Sequence, residues 1–444
     1  MTPSDHASDR QDRQDRAAPA AARQPPEVLA AAPWSTPRGA RVTAVRTFLC
    51  APQGCPYVIV RVETDQQGLT GLGCASDPQR TLAVRSVVDD YLGPMLVGRD
   101  PADIEDIHRL LLNSGYWRGG SIAHNALAGI DVALWDIKGK TAGLPVYQLL
   151  GGRARVAADA YTHVSGREAG EIAEQVLAAA ARGYRHVRVQ VAVPGTDTYG
   201  TAPRDAAEAA VRRARSGRWD PLGYLRHVPP VLREIRERVG PGVELLHDAH
   251  ERLTPSQARE LVRQVEDARL FFLEDALAPE DASHFGRLRE AGSVPLAVGE
   301  LYDDVQQYMP LLEARAIDFA RIRVPTLGGL TPTRKLVAAC ELFGARTAPH
   351  GPGDVSPVGM AANLALDISS PAFGVQEAAA FKEATLEVFP GAPVPRGGAL
   401  YPSEAPGLGV EFDERAAAAH PVPAPLEHDR WALLRAADGS AMRP

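Results

Sequence analysis

Three acidic residues recur at one interval. Asp248, Glu274 and Glu300 lie 26 residues apart, and each follows an apolar run: ELLHD, LFFLE and PLAVGE. That interval fits one strand, one helix and their loops, so the carboxylates are expected on neighbouring strands at one rim. Anions that converge in a cleft repel one another unless a cation lies between them. Oxygen ligands with room left for a substrate favour Mg²⁺. Taken singly, each acid could equally cap a helix or pair with an arginine; three at equal spacing favour the metal.

The rest of the chain supplies the elements such a site needs. After Gly152, short apolar strands alternate with amphipathic helices, which implies parallel strands joined by crossovers. Strands are expected at 243–247, 270–273, 296–298, 319–324, 345–348 and 373–376, with helices such as 256–266 and 333–343 between them. So many units favour a closed barrel over an open sheet, with polar residues at the strand ends forming the site. Upstream, 57–63 is rich in β-branched residues, and Gly68, Gly71 and Gly73 punctuate turns, which reads as a small antiparallel sheet. Ile122, Ala126, Ile130, Leu134 and Ile137 recur at helical spacing, and Gly143 with Pro145 marks the stop.

Composition narrows the function classes. A chain of 444 residues buries a large core, and two structural units plus tails are expected. The net charge of −7 argues against nucleic-acid binding, which needs a basic footprint. Residues 1–37 mix Asp, Arg and Gln with Ala and Pro and show no apolar period, the mark of a disordered tail. No apolar h-region follows a basic start, and no stretch approaches the ~18 apolar residues of a membrane span, so a cytoplasmic protein with no membrane partner is expected. Cys50, Cys55, Cys74 and Cys340 are too few for a disulfide framework. They lack a paired C-x-x-C and a nearby histidine, so free thiols are expected.

Eleven stretches then occur in order: ALWDIKGK (133–140), PVYQLLGG (145–152), GYRHVRVQ (183–190), VPGTDTYG (193–200), LLHDAHERLTP (245–255), LFFLED (270–275), PLAVGE (295–300), LGGLT (327–331), HGPGDVSP (350–357), FGVQE (373–377) and PGLGVEFDE (406–414). With them, the chain from about residue 41 onward resembles the enolase superfamily, and within it the D-mannonate dehydratase family. The resemblance implies an α/β fold: a modified (β/α)₇β TIM-type barrel with an N-terminal α+β capping domain completed by the C-terminal segment. The tail would be 1–37, the cap 38–152, the barrel 153–390, and the returning segment 391–444.

The resemblance also implies roles. Asp248, Glu274 and Glu300 match the Mg²⁺ ligands. Tyr199 with Arg188 beside it matches the base, since a phenol of pKa ~10 needs a cation to act at neutral pH. His250 matches the acid that helps a hydroxyl depart; two residues after Asp248 on an extended strand, it would point the same way. His163, Glu300, Arg321, His350, Asp354 and Glu377 match substrate contacts, a ring of donors and acceptors suited to a polyhydroxy acid. The implied reaction is dehydration of a sugar acid, D-mannonate to 2-keto-3-deoxy-D-gluconate or a related aldonate.

Three departures bear on the substrate. Pro78 stands where the family has asparagine, Glu251 replaces the second histidine of a DxHHR run, and the chain ends in SAMRP rather than a tryptophan-rich motif. A dehydratase for a different hydroxy acid and a weakly active metal-binding regulatory homologue are therefore the alternatives. The long stretch 191–224 suggests a lid or a subunit contact, and a homo-oligomer is expected.

Overall fold

The computed structural model describes residues 39–201, 218–378, 380–423 and 434–443; the expected tail at 1–37 lies outside the described residues. Strands β1 (Val42–Cys50), β2 (Tyr57–Thr64) and β3 (Thr70–Cys74) form an antiparallel sheet in that order. Helix α1 (Ser121–Ala142) lies across β3, and the contact depends on glycine. A Cβ at Gly73 would stand 1.8 Å from the Gly129 carbonyl oxygen, and one at Gly71 would stand 2.0 Å from that of Ala133.

The barrel follows. Strands β4 (Ala158–Gly166), β5 (His186–Val191), β6 (Glu244–Asp248), β7 (Phe272–Glu274), β8 (Leu296–Val298), β9 (Phe319–Ala320), β10 (Arg346–Thr347) and β11 (Gln376–Glu377) are parallel. Their order follows the chain, and β11 pairs with β4. A parallel bridge between Thr347 and Phe373 joins the remaining gap, so the sheet closes. Among the described residues, seven α-helices lie in the crossovers: α2 (Ala169–Ala181), α3 (Pro221–Val239), α4 (Pro255–Gln264), α5 (Phe285–Arg289), α6 (Met309–Glu313), α7 (Leu330–Phe343) and α8 (Pro357–Ser369). This is the (β/α)₇β order.

Several ladders are shorter than the apolar runs suggested. The strand expected at 319–324 pairs only over Phe319–Ala320, and that expected at 373–376 pairs over Gln376–Glu377. An apolar run reports how long the chain stays buried, not how long it stays in a ladder.

Inside the barrel, Tyr161, Leu246, Phe272, Ala297, Phe319, Ala348 and Val375 form one apolar layer. Side chains of a strand alternate faces, so the residues two further along point into the same interior, one layer nearer the rim. Those residues are His163, Asp248, Glu274, Gly299, Arg321, His350 and Glu377. The packing period of the barrel thus delivers most of the expected site residues to one level. Glu300 is out of phase, and Gly299 at φ +132° turns the chain to bring it in.

The C-terminal segment returns to the first domain. Asp136 on α1 accepts from the Leu72 amide at 3.0 Å, the Leu408 amide at 2.8 Å and Lys140 Nζ at 2.8 Å. Phe412 packs on Phe48 with centroids 5.2 Å apart, and β12 (Ala399–Leu400) pairs antiparallel with β4. The four cysteines are free, three of them buried. No helix among the described residues is long and apolar enough to cross a membrane.

Candidate active site

The expected residues meet at the carboxyl ends of the barrel strands. Asp248 and Glu274 are paired in register across β6 and β7. The acids whose oxygens lie within 4.8 Å of one another are Glu274, Asp275 and Glu300. Asp248 stands beside this group, its Oδ2 3.3 Å from Arg188 Nη1 and its Oδ1 accepting from the His250 amide at 2.7 Å. Asp275 is a site residue that the spacing pattern did not single out. An in-phase strand would have sent it to the opposite face from Glu274, but at φ +40° it turns back. Its Oδ1 accepts from the Gly299 amide at 3.3 Å, which ties it to the turn carrying Glu300.

Among the described residues, Arg188 and Arg321 face these acids but do not offset their burial. Burial and then the Glu274 charge push the Asp248 carboxyl up to about 8. Burial and neighbouring carboxylates hold Asp275 and Glu300 well above the usual carboxylate range. Among the described residues, Glu274 Oε2, Asp275 Oδ2 and Glu300 Oε2 are buried with no hydrogen-bond partner. An orphaned oxygen from each of three adjoining carboxylates is a donor set that fits a hard divalent cation.

Beneath the acids, Arg321 is completely buried. Its Nε pairs with Glu274, its Nη2 donates to Glu377 Oε2 at 2.6 Å, and its Nη1 donates to the Ala348 carbonyl at 2.6 Å. Glu377 is also fully buried. Against the burial that would raise it, Arg321, His163 and Arg188 hold its carboxyl well below the ordinary value. Both residues were expected as substrate contacts, yet neither has exposed surface here. What they touch is the underside of the acid cluster. His163 differs: 34% of its side chain is exposed, and its Nε2 lies 2.7 Å from Glu377 Oε1.

Tyr199 and His250 form the other half of the site. Their rings stack with centroids 3.5 Å apart and 16° between planes. Arg188 Cζ lies 5.5 Å from the Tyr199 ring centroid, and Arg252 Cζ lies 6.0 Å away. His250 Nε2 is 3.9 Å from Glu300 Oε1. β6 ends at Asp248, and His250 and Glu251 follow at φ +53° and +52°. The expectation that strand alternation aims His250 is thus corrected: a left-handed turn places it. Burial first, opposed by Arg188 and reinforced by Glu300 and Asp248, keeps the Tyr199 phenol well above its ordinary pKa.

A cavity of about 580 Å³ opens onto these groups, lined by Tyr199, Glu300, His350 and Asp354 and by Asp77, Pro78 and Gln79 from the first domain. His350 Nε2 is 3.5 Å from Glu300 Oε2, and burial lowers its imidazole to about 4, so it is neutral. Arg323, not among the expected site residues, binds the two domains together here. It donates to the Ser76 carbonyl at 2.7 Å and to Asn125 Oδ1 at 3.1 Å, and lies 3.2 Å from Asp354 Oδ2. The R-x-R spacing with Arg321 was the available signal, since it puts both on one face. Glu251 is buried, and burial with Glu280 pushes its carboxyl up to about 7.

Known proteins share this architecture. Residues 171–416 match the enolase C-terminal domain-like family, and residues 35–151 match the mandelate racemase / muconate lactonizing enzyme N-terminal domain. A D-galactonate dehydratase family member from Streptomyces sp. (strain SPB78) is 79% identical over 96% of this chain and 98% of that protein. A D-galactonate dehydratase family member from Salmonella enteritidis PT4 is 44% identical over 91% of this chain and 99% of its own length. Among solved structures, an enolase from Pantoea ananatis with bound D-gluconate and Mg matches with a TM-score of 0.85 at 41% identity, over 91% of this chain and all of that one. The relatives carry the D-galactonate dehydratase name, where the motifs suggested the D-mannonate dehydratase family. This chain belongs to the enolase superfamily and, within it, to the D-galactonate dehydratase family.

Proposed function

We propose that this protein is a Mg²⁺-dependent sugar-acid dehydratase that converts an aldonate to a 2-keto-3-deoxy acid. The observation that carries the reading is the Tyr199–His250 stack, with Arg188 behind it and the carboxylate cluster beside it. A protein that only bound a metal would need no base and acid in contact at its rim. That favours an enzyme over a regulatory homologue.

Glu274 and Glu300 would hold the cation, with Asp248 and Asp275 as the adjoining oxygen donors. When bound, Mg²⁺ supplies positive charge that stabilises the negative charge developing on the substrate carboxylate. Tyr199 Oη takes the proton alpha to that carboxylate; Arg188 favours the phenolate form, and a bound cation would offset the Glu300 and Asp248 charges that oppose it. His250 delivers a proton to the 3-hydroxyl as the C3–O bond breaks, and water leaves. The resulting enol tautomerises to the 2-keto acid. Arg321 and Glu377 hold the acids in place from below, and His163, His350 and Asp354 meet the hydroxyl groups. The neutral His350 can both donate and accept.

Within the aldonates, D-mannonate and D-gluconate are the leading candidates, the first from the motifs and the second from what the Pantoea ananatis enolase holds. The test is turnover of a sugar-acid panel with Mg²⁺, detecting 2-keto-3-deoxy products, beside a Tyr199→Phe control. Product that disappears in the control supports both the reaction and the base. A Tyr199→Phe enzyme with wild-type turnover would remove the tyrosine from the mechanism, and no product from any aldonate would sink the substrate class.

A further inference from the structure

Tyr199 is carried by a stretch without regular structure, yet a base must be held to within a fraction of an ångström. Two contacts fix Asp197, two residues before it. Its amide donates to the Arg218 carbonyl at 2.8 Å, and its Oδ2 accepts from the Arg218 amide at 3.0 Å. From the other side, Arg252 Nη1 donates to the Asp197 carbonyl at 3.1 Å. Arg252 is itself set by Trp219, whose Nε1 donates to the Arg252 carbonyl at 3.3 Å and whose ring lies 5.3 Å from the guanidinium.

The pair Arg218–Trp219 is in turn held from the end of the chain. The Trp219 amide donates to the Arg435 carbonyl at 2.9 Å, and Arg218 and Arg435 form a parallel bridge. Residues 434–443 fold as a small hairpin. Arg435 bridges Ala441 antiparallel, Met442 donates to Leu434 at 2.9 Å, and Gly439 at φ +85° makes the turn. One end is anchored by Leu434, which is buried in the main core. The other is anchored by Arg443, whose Nη1 lies 3.0 Å from Asp281 Oδ2 beyond β7.

We propose that this C-terminal hairpin is a strap that positions the base: through Arg218–Trp219 and Arg252 it holds Asp197, and so sets Tyr199 against His250. Arg252 is then a positioning residue, and so is Trp219. The chemistry of the strap rests on the function proposed above; its mechanical part does not. Losing the hairpin frees the edge of Arg218–Trp219 and releases one of the grips on Asp197 seen among the described residues, while the barrel strands keep their own ladders.

The test compares the full chain with a chain ending at residue 433, by hydrogen exchange and by steady-state kinetics. Exchange at amides 193–201 is expected to quicken by about tenfold or more, with β4 to β6 unchanged. kcat is expected to fall by about 10- to 100-fold with little change in KM, since what is lost is alignment of the base. Arg443→Asp should show the same pattern more weakly, and adding Asp281→Arg should restore it. This pair also serves if the shortened chain fails to fold. Unchanged exchange at 193–201 in the shortened chain, or quickened exchange with wild-type kcat, would overturn the proposal. Should the full-length protein turn over no sugar acid, the function reading fails, and the exchange comparison still decides the strap.

Discussion

Two groups of buried carboxylates in this molecule are built on opposite plans. At the seam between α1, β3 and the returning C-terminal segment, Asp136 accepts from two amides and from Lys140, so both oxygens are engaged. At the barrel rim, Glu274, Asp275 and Glu300 crowd together and each leaves an oxygen orphaned. Burial raises the Asp136 carboxyl, and Lys140 with the two amides works against it. At the rim, burial and neighbouring acids push the same way on Asp275 and Glu300. A completed acid is architecture; an incomplete cluster is a place where something else must bind.

Removing a carboxylate should therefore act differently at the two places. The largest effect is expected for Glu300→Gln with Mg²⁺: turnover falling by about 10³-fold or more, equal to some 4 kcal/mol of transition-state stabilisation. Titration calorimetry should show weakened Mg²⁺ binding, and wild-type affinity in the variant would break the comparison. Next, Asp136→Ala should cost about 3–5 kcal/mol of stability in urea unfolding, because Lys140 loses its only charged partner among the described residues, keeping the Thr70 carbonyl alone, and two amides lose their acceptor. The folded fraction should still bind Mg²⁺ as the wild type does; a weakened site would mean the seam and the rim are coupled.

pH marks the rim through its response to Mg²⁺. A carboxyl whose pKa is raised by folding keeps its proton in the native state, so stability is highest below the unfolded carboxylate value of ~4. That stability is lost as pH rises toward and through the folded value, about 8 for Asp248. Mg²⁺ replaces those protons, so the Tm gain on adding Mg²⁺ should be large at pH 8 and vanish near pH 4. A gain independent of pH would place the cation away from these acids.

A smaller effect is expected at Asp367 on α8. Burial holds its carboxyl well above the ordinary range, and both oxygens lack hydrogen-bond partners among the described residues. It is a lone acid, where the rim acids form a cluster. Asp367→Asn should stabilise the protein by about 1 kcal/mol at pH 8 and by less at pH 4, with no effect on Mg²⁺ response. Stabilisation of equal size at both pH values would show that ionisation is not the cause.

Much of this was legible without coordinates. The 26-residue interval marked Asp248, Glu274 and Glu300 because a βα unit repeats in length. Asp275, Arg323 and Arg252 were not read as site residues. Each sits beside a residue that was read, but backbone turns or packing from a distant segment decide where it points. Arg321 and Glu377 were found as strand-end residues, and only the coordinates show that both are fully buried, since chemistry alone does not tell a rim residue from one beneath it.

The sequence by itself determined the barrel order and the residue types at the strand ends, because these follow from local periodicity and spacing, and its motifs gave the superfamily by resemblance. Only the tertiary structure decided which oxygens are satisfied, which face of the DAHER turn carries His250, and that Arg435 pairs with Arg218–Trp219, which in turn grips Asp197. Those outcomes depend on left-handed backbone angles and on contacts between segments more than two hundred residues apart, and no local pattern encodes either.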